Sequence, residues 1–222
     1  AQAAGHDINY VGYAGMLDQL TTVDGTPIVP NVQIGDLLGG ALTAVVGILA
    51  ALADARATGR GRYVDVSMTD SVFAHNLIAF FAVGTRGKAS PAGTDLLNGG
   101  VPCYGVYRTA DDRFMAVGAL ELKFWQAMCD VIEKPEWKER HSALGQRVGG
   151  DDARAIRDEL AARFLTATQA EWTARFADAD CCVTPVLRME EALQHPLFVE
   201  RNSVVKENGE PVQLALPLRF AD

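Results

Sequence analysis

The sequence predicts an α/β chain in more than one part, and three observations carry that reading. A helix, a short strand and a second helix follow one another over residues 36–83. A segment rich in Gly and Pro interrupts the pattern at Gly84–Gly100 (GTRGKASPAGTDLLNGG), and a hairpin followed by amphipathic helices comes after it. The boundaries that follow are 1–83, a linker at 84–102, a smaller α+β part at 103–188, a return linker at 189–202 and a closing segment at 203–222.

The elements are justified in chain order. Residues 1–35 are rich in turn formers (TTVDGTPIVPN), with a short helical pattern only at Tyr10 to Leu20. From Gly35-Asp36 a run of Ala, Leu, Val and Ile extends to about Arg56, and Gly59 supplies the residue expected just past a helix C-terminus, so Asp36 falls at or beside the N-cap. Arg62 to Val66 (RYVDV) alternates as a strand, and Ser67 or Thr69 can cap a helix over Asp70 to Val83. Cys103 to Arg108 and Phe114 to Val117 flank Thr109-Ala110-Asp111-Asp112 as a hairpin. Helical periodicity returns at Glu121 to Ile132, Asp152 to Phe164 and Ala170 to Phe176, the last behind Thr166 and Thr168. Cys182 to Val186 reads as a strand, Met189 to Leu193 as a short helix, and Ser203 to Phe220 as a hairpin turning at Asn208-Gly209.

With 28 acidic against 20 basic residues, a net charge of -8 and no basic run, the composition excludes nucleic acid and anionic membrane surfaces as expected partners. The apolar run Ala41 to Ala53 is short for a bilayer span and reads as a buried helix. Cys103, Cys129, Cys181 and Cys182 show no metal-ligand spacing, which points to a reducing, cytoplasmic setting. No signal peptide is visible, and the chain opens inside what reads as ordered sequence, so it is expected to be a piece of a longer protein.

Few residues invite chemistry, and each has a structural alternative. His6, in Gly5-His6-Asp7-Ile8-Asn9-Tyr10, is either an imidazole satisfied in a turn or a proton-transfer group suited to neutral pH. Asp36 is either an N-cap or a functional carboxylate. The glycines Gly39 and Gly40 in the first helical turn, each costing about 1 kcal/mol against alanine, favour a ligand lying against that turn near Leu37. Glu121 opens a helix, where an acid is favourable in any case. Gly99-Gly100 is either a turn or an opening for a ligand. Met16, Met68 and Met115 read as core before acyl-chain surface, and Trp125, Trp137 and Trp172 as core or interface anchors. His75, His141 and His195 have no ligand-like partners, and no P-loop, GxGxxG or GxSxG motif occurs.

Taken together, GHDINY, GDLLGG, GILAAL, TGRGRYVDVSMTDS, LNGGVPCYGVYRTADDRFMAVGALE and DADCCVTPVLRMEEA resemble, in order and spacing, the family III CoA-transferases on their α-methylacyl-CoA racemase branch. The resemblance covers nearly the whole chain. It implies part of a large α/β domain with a Rossmann-like sheet, joined by long linkers to a smaller α+β domain, in an interlocked homodimer. It also implies that the N-terminal part of the large domain, with much of the CoA-binding surface, lies outside this chain. His6, Asp36 and Glu121 match the catalytic positions of the racemase motifs, and Asp7, Tyr10, Leu37, Gly39, Gly40, Gly99, Gly100 and Tyr104 are the residues expected on the substrate side. Where the motif would continue with proline after Glu121, this chain has Leu122. The implied activity is epimerisation of 2-methylacyl-CoA thioesters, with the thioester as substrate and no cofactor required. CoA transfer through Asp36 is the rival, and an inactive remnant or dimerisation partner the third reading.

Overall fold

The computed structural model describes residues 4–22 and 24–220, and the chain divides into two compact units. The first comprises residues 1–105 and 140–157, the second 106–139 and 158–222.

In the first unit, α1 (Asp7–Tyr13) starts where His6 takes an extended conformation (φ −119°, ψ 175°). The His6 carbonyl accepts the Asn9 N–H at 2.9 Å, and the Asn9 side chain accepts the His6 N–H at 3.0 Å. That local pairing starts the helix at Asp7, ahead of the Tyr10 expected, and Gly15 (φ +73°) turns the chain soon after Tyr13. A π-helical stretch, Gly35–Leu42, then runs without a break into α2 (Thr43–Thr58), which ends on the left-handed Gly59 as expected. Asp36 lies inside the first turn of this helix.

Three expectations fail around α2. Its apolar residues Val45, Val46, Ile48, Leu49 and Leu52 are 47–61% exposed, so the helix is not buried by the described residues. The continuous helix Gly35–Thr58 is also longer than the apolar run suggests, reaching the length and apolarity of a membrane span, a test that core helices pass as well. The segment Arg62 to Val66 is not a strand. It lies along α2, where Val64 approaches Gly47, and no described segment provides the ladder partner a strand requires.

Ser67 caps α3 (Met68–His75) by accepting the Asp70 N–H at 3.2 Å. The single helix expected to Val83 is broken at Asn76 (ψ 44°), whose amide donates to the Ala14 carbonyl at 3.4 Å, and α4 (Leu77–Arg86) follows. Val11, Ala14 and Val72 form a small buried cluster in this unit, with Met16, Leu17 and Ile34 against it.

β1 (Tyr104–Arg108), where the first unit gives way to the second along the chain, leads into β2 (Phe114–Gly118), which pairs antiparallel with β3 (Val183–Pro185), giving the order β1-β2-β3. α5 (Leu122–Val131), α6 (Asp151–Phe164) and α7 (Gln169–Phe176) match their expected positions, and Thr168 with Glu171 forms a capping box on α7. Trp125, Trp137 and Trp172 are core residues, as is Met115. α8 (Met189–Ala192) matches the short helix expected there, whereas α9 (Pro196–Glu200) is additional; His195 caps it by accepting the Leu197 N–H at 3.3 Å. The last hairpin, β4 (Val204–Glu207) and β5 (Glu210–Leu214), turns at Asn208 (φ 51°) and Gly209 (φ 88°) as the Asn-Gly pair predicts.

Two paired carboxylates give the fold an acid limit. In the second unit Arg113 grips Glu191 with both terminal nitrogens, at 2.8 and 2.5 Å, and with the Arg188 N–H it holds Glu191 down at about 2. In the first, Arg86, Ser90 and the Leu96 N–H hold Asp95 at about 2. Both values lie below the ordinary 4.5 and 3.8, so each pair's contribution is fully present above those ordinary values and is lost as pH falls toward about 2. Circular dichroism during acid titration is expected to show Arg113→Met unfolding at higher pH than the unaltered chain. Coincident titrations would refute the assignment.

Candidate active site

The site residues of the first unit gather around two helix starts. His6 occupies the N-cap of α1, yet its imidazole makes no capping hydrogen bond; the backbone and Asn9 do that work, leaving the exposed ring uncommitted to the helix. Asp7, the first helical residue, turns its carboxylate toward the other helix start. Its Oδ1 accepts the backbone N–H of Asp36 at 2.9 Å. The carboxylate that caps the helix bearing Asp36 thus comes from Asp7, leaving the exposed Asp36 side chain free of that task.

Asp36 also sits in π-helical geometry, where each turn is wider than in an α-helix. Thr43 Oγ1 donates to the Leu38 carbonyl, five residues back, at 2.9 Å. Such stretches are uncommon and recur at functional sites. Of the nearby backbone donors, the Asp36 N–H serves Asp7 and the Leu37 N–H serves the Gln33 carbonyl at 2.9 Å. The first N–H of α1, that of Asp7, has no acceptor within its own helix.

His6 and Asp7 line a cavity of about 180 Å³ together with Ile8, Val11, Leu17, Val29, Pro30 and Gln33. Val29, Pro30 and Gln33 carry no signal in the sequence, because a turn-rich stretch has no periodicity to say which side chains face inward. Leu37 is exposed beside Asp36. Tyr10 is tied into the structure, its hydroxyl donating to the Gly5 carbonyl at 2.9 Å.

Four glycines expected on the substrate side are approached closely by the chain's own atoms. A Cβ on Gly39 would stand 2.9 Å from the Met68 carbonyl oxygen and 3.0 Å from Val72, and one on Gly40 would stand 3.2 Å from the Met68 side chain, so both admit α3. Met68 itself is therefore a packing residue here. A Cβ on Gly100 would meet the Thr94–Asp95 backbone at 2.6–2.7 Å, and Gly99 (φ +96°) gives its carbonyl to Arg157. Both are buried. Spacing in a sequence cannot tell whose atoms approach a glycine.

Tyr104 opens β1 and is partly exposed. Glu121 belongs to the second unit, at the N-cap of α5 (φ −80°, ψ 140°), with Leu122 taking the first helical position in place of the proline of the motif. It is exposed, while the same helix buries Trp125, Met128 and Cys129. Burial pushes the Cys103 and Cys181 thiols up to about 11, so neither offers a thiolate nucleophile near neutrality. Among the described residues no group of three or more His, Cys, Asp and Glu side chains is placed to hold a metal ion.

Comparison with known proteins decides the family. The sequence model of CoA-transferase family III matches residues 1–222. The chain belongs to that family. It is 33% identical to human alpha-methylacyl-CoA racemase over 209 residues, 94% of this chain and 53% of that protein. It is 34% identical to the mouse racemase over 212 residues, 93% of this chain and 53% of that protein. The chain therefore spans about half the length of these curated relatives. The crystal structure of a CAIB/BAIF family protein from Brucella suis superposes with a TM-score of 0.78 at 21% identity, covering 100% of this chain and 57% of that one. That likeness places the mixed helix-and-sheet chain in the family III CoA-transferase fold.

Proposed function

We propose that the protein carrying this chain epimerises 2-methylacyl-CoA thioesters, removing the proton from the carbon beside the thioester and returning one to the opposite face. The observation that carries this reading is the Asp7–Asp36 hydrogen bond, which holds the His6 segment and the Asp36 helix start side by side. Inversion at carbon requires two bases on opposite faces, one entering protonated and the other free. His6 and Asp36 fill those roles. The relatives named racemases support the choice of substrate class.

Proton removal leaves an enolate, whose oxygen is stabilised by a donor already aimed at it. The Asp7 N–H suits that task, because the competing amides of Asp36 and Leu37 are already bonded. Orientation of the His6 imidazole by Glu121, the homodimer and a cytoplasmic location complete the proposal; Glu121 and the dimer rest on the family resemblance, the location on the cysteines. The reaction moves only protons, so the CoA thioester is substrate and no redox group is called for.

The rival reading is CoA transfer between carboxylic acids, with Asp36 as nucleophile. Relatives at lower identity carry such names, among them the formyl-CoA:oxalate CoA-transferase of Escherichia coli at 26%. A chain without catalytic role, serving assembly alone, is the third reading, and calorimetric binding of CoA would count against it. Incubation with a 2-methylacyl-CoA in deuterated water separates the first two. Deuterium is expected at the α-carbon; its absence, with CoA appearing on an added free acid, would establish transfer instead.

A further inference from the structure

We infer that Asp7 is a positioning residue that sets the separation of the two bases by holding the Asp36 helix start against the His6 segment. The inference rests on the racemase reading for its kinetic consequence, but its geometry stands on two observations in the first unit. Asp7 Oδ1 accepts the Asp36 N–H at 2.9 Å across 29 positions of sequence. Gly35 is buried, and a Cβ there would stand 2.9 Å from the same Oδ1 and 3.5 Å from the Asp7 carbonyl oxygen. Only a residue without a side chain at 35 lets the carboxylate reach the helix start.

The connection is short. Consecutive Cα atoms across the His6–Asp7 peptide are about 3.8 Å apart, so one rigid peptide and one hydrogen bond join His6 to the backbone of Asp36. α1 does not depend on the Asp7 carboxylate, because His6 and Asn9 supply its N-terminal hydrogen bonds. The carboxylate acts on the partner helix instead. By accepting the Asp36 N–H it ties the first turn of the π-helical stretch to the His6 segment.

Misplacing a reacting group by about 1 Å costs on the order of a hundredfold in rate, so the loss belongs in kcat. The test compares Asp7→Ala, Asp7→Asn and Gly35→Ala in the protein carrying this chain, reading α-deuterium incorporation from a 2-methylacyl-CoA and amide exchange of the Asp36 N–H by NMR. Asp7→Ala and Gly35→Ala are expected to lower kcat about ten- to a hundredfold, with KM little changed, and to speed Asp36 amide exchange. Asp7→Asn keeps an oxygen acceptor and is expected to rescue most of both. Wild-type kcat or unchanged Asp36 amide exchange in Asp7→Ala, or an Asp7→Asn as defective as Asp7→Ala, would overturn the inference. Should the unaltered protein transfer CoA without incorporating deuterium, the racemase reading fails by itself. The same variants are then read on transfer, which also needs Asp36, and the amide measurement decides the positioning role unchanged.

Discussion

His6→Gln is expected to lower α-deuterium incorporation by about 10²–10⁴-fold, the contribution of a positioned proton-transfer group, and to leave the melting curve in place. The structure explains why the two effects separate. The His6 backbone, not its ring, starts α1: the carbonyl takes the Asn9 N–H, and the N–H goes to Asn9 Oδ1. The ring is exposed and caps nothing. Glutamine keeps comparable bulk and polarity but cannot titrate near neutrality. The same variant sorts the rival activities. A transferase working through an Asp36 carboxylate has no need of a second base, so its CoA transfer would survive His6→Gln and be abolished by Asp36→Asn. Exchange that persists at the unaltered rate in His6→Gln would remove His6 from the mechanism.

How much of the fold is legible in the sequence follows the range of the forces involved. Caps and turns act over three or four residues, and their residues announce them: Thr168 with Glu171 on α7, Ser67 on α3, Asn208-Gly209 in the last hairpin, Gly59 after α2. Helical periodicity places α5, α6 and α7 because each has a single buried face. Elements that depend on a distant partner escape this kind of reading. Arg62 to Val66 has the alternation of a strand and no strand beside it among the described residues, and Asn76 breaks a helix by reaching back to Ala14.

The site divides along the same line. Residue types suited to proton transfer can be picked from the sequence, since chemistry is a property of the side chain. Their arrangement cannot, because the bond that joins the two segments links Asp7 to an amide 29 positions away. Asp7 is expected from the sequence on the substrate side, and its carboxylate is committed to the neighbouring helix. The paired glycines show the same limit: the atoms that approach them, from Met68, Val72 and the Thr94–Asp95 backbone, come together only in the fold.

Trp172→Ala is expected to destabilise the second unit by about 3–5 kcal/mol, the usual cost of removing a large aromatic from a core. Trp172 is fully buried, with ring centroids 5.1 Å from Phe164 and 5.9 Å from Phe176, and Phe164 in turn stacks on Tyr107 at 5.3 Å. Alanine would leave a cavity that these rings, anchored on α6, α7 and β1, cannot all collapse to fill. It would also take a donor from the Phe164 carbonyl, which accepts the indole N–H at 2.8 Å. Trp172→Phe separates the two contributions, keeping much of the ring packing while losing the hydrogen bond, for an expected cost nearer about 1–3 kcal/mol. The measurement is naturally local, because all three tryptophans fall within residues 106–139 and 158–222. Urea unfolding followed by the fluorescence of Trp125 and Trp137 therefore reports this unit. A loss below about 1 kcal/mol in Trp172→Ala, well short of the large-to-small range, would mean that the aromatic cluster does not hold α6 and α7 together.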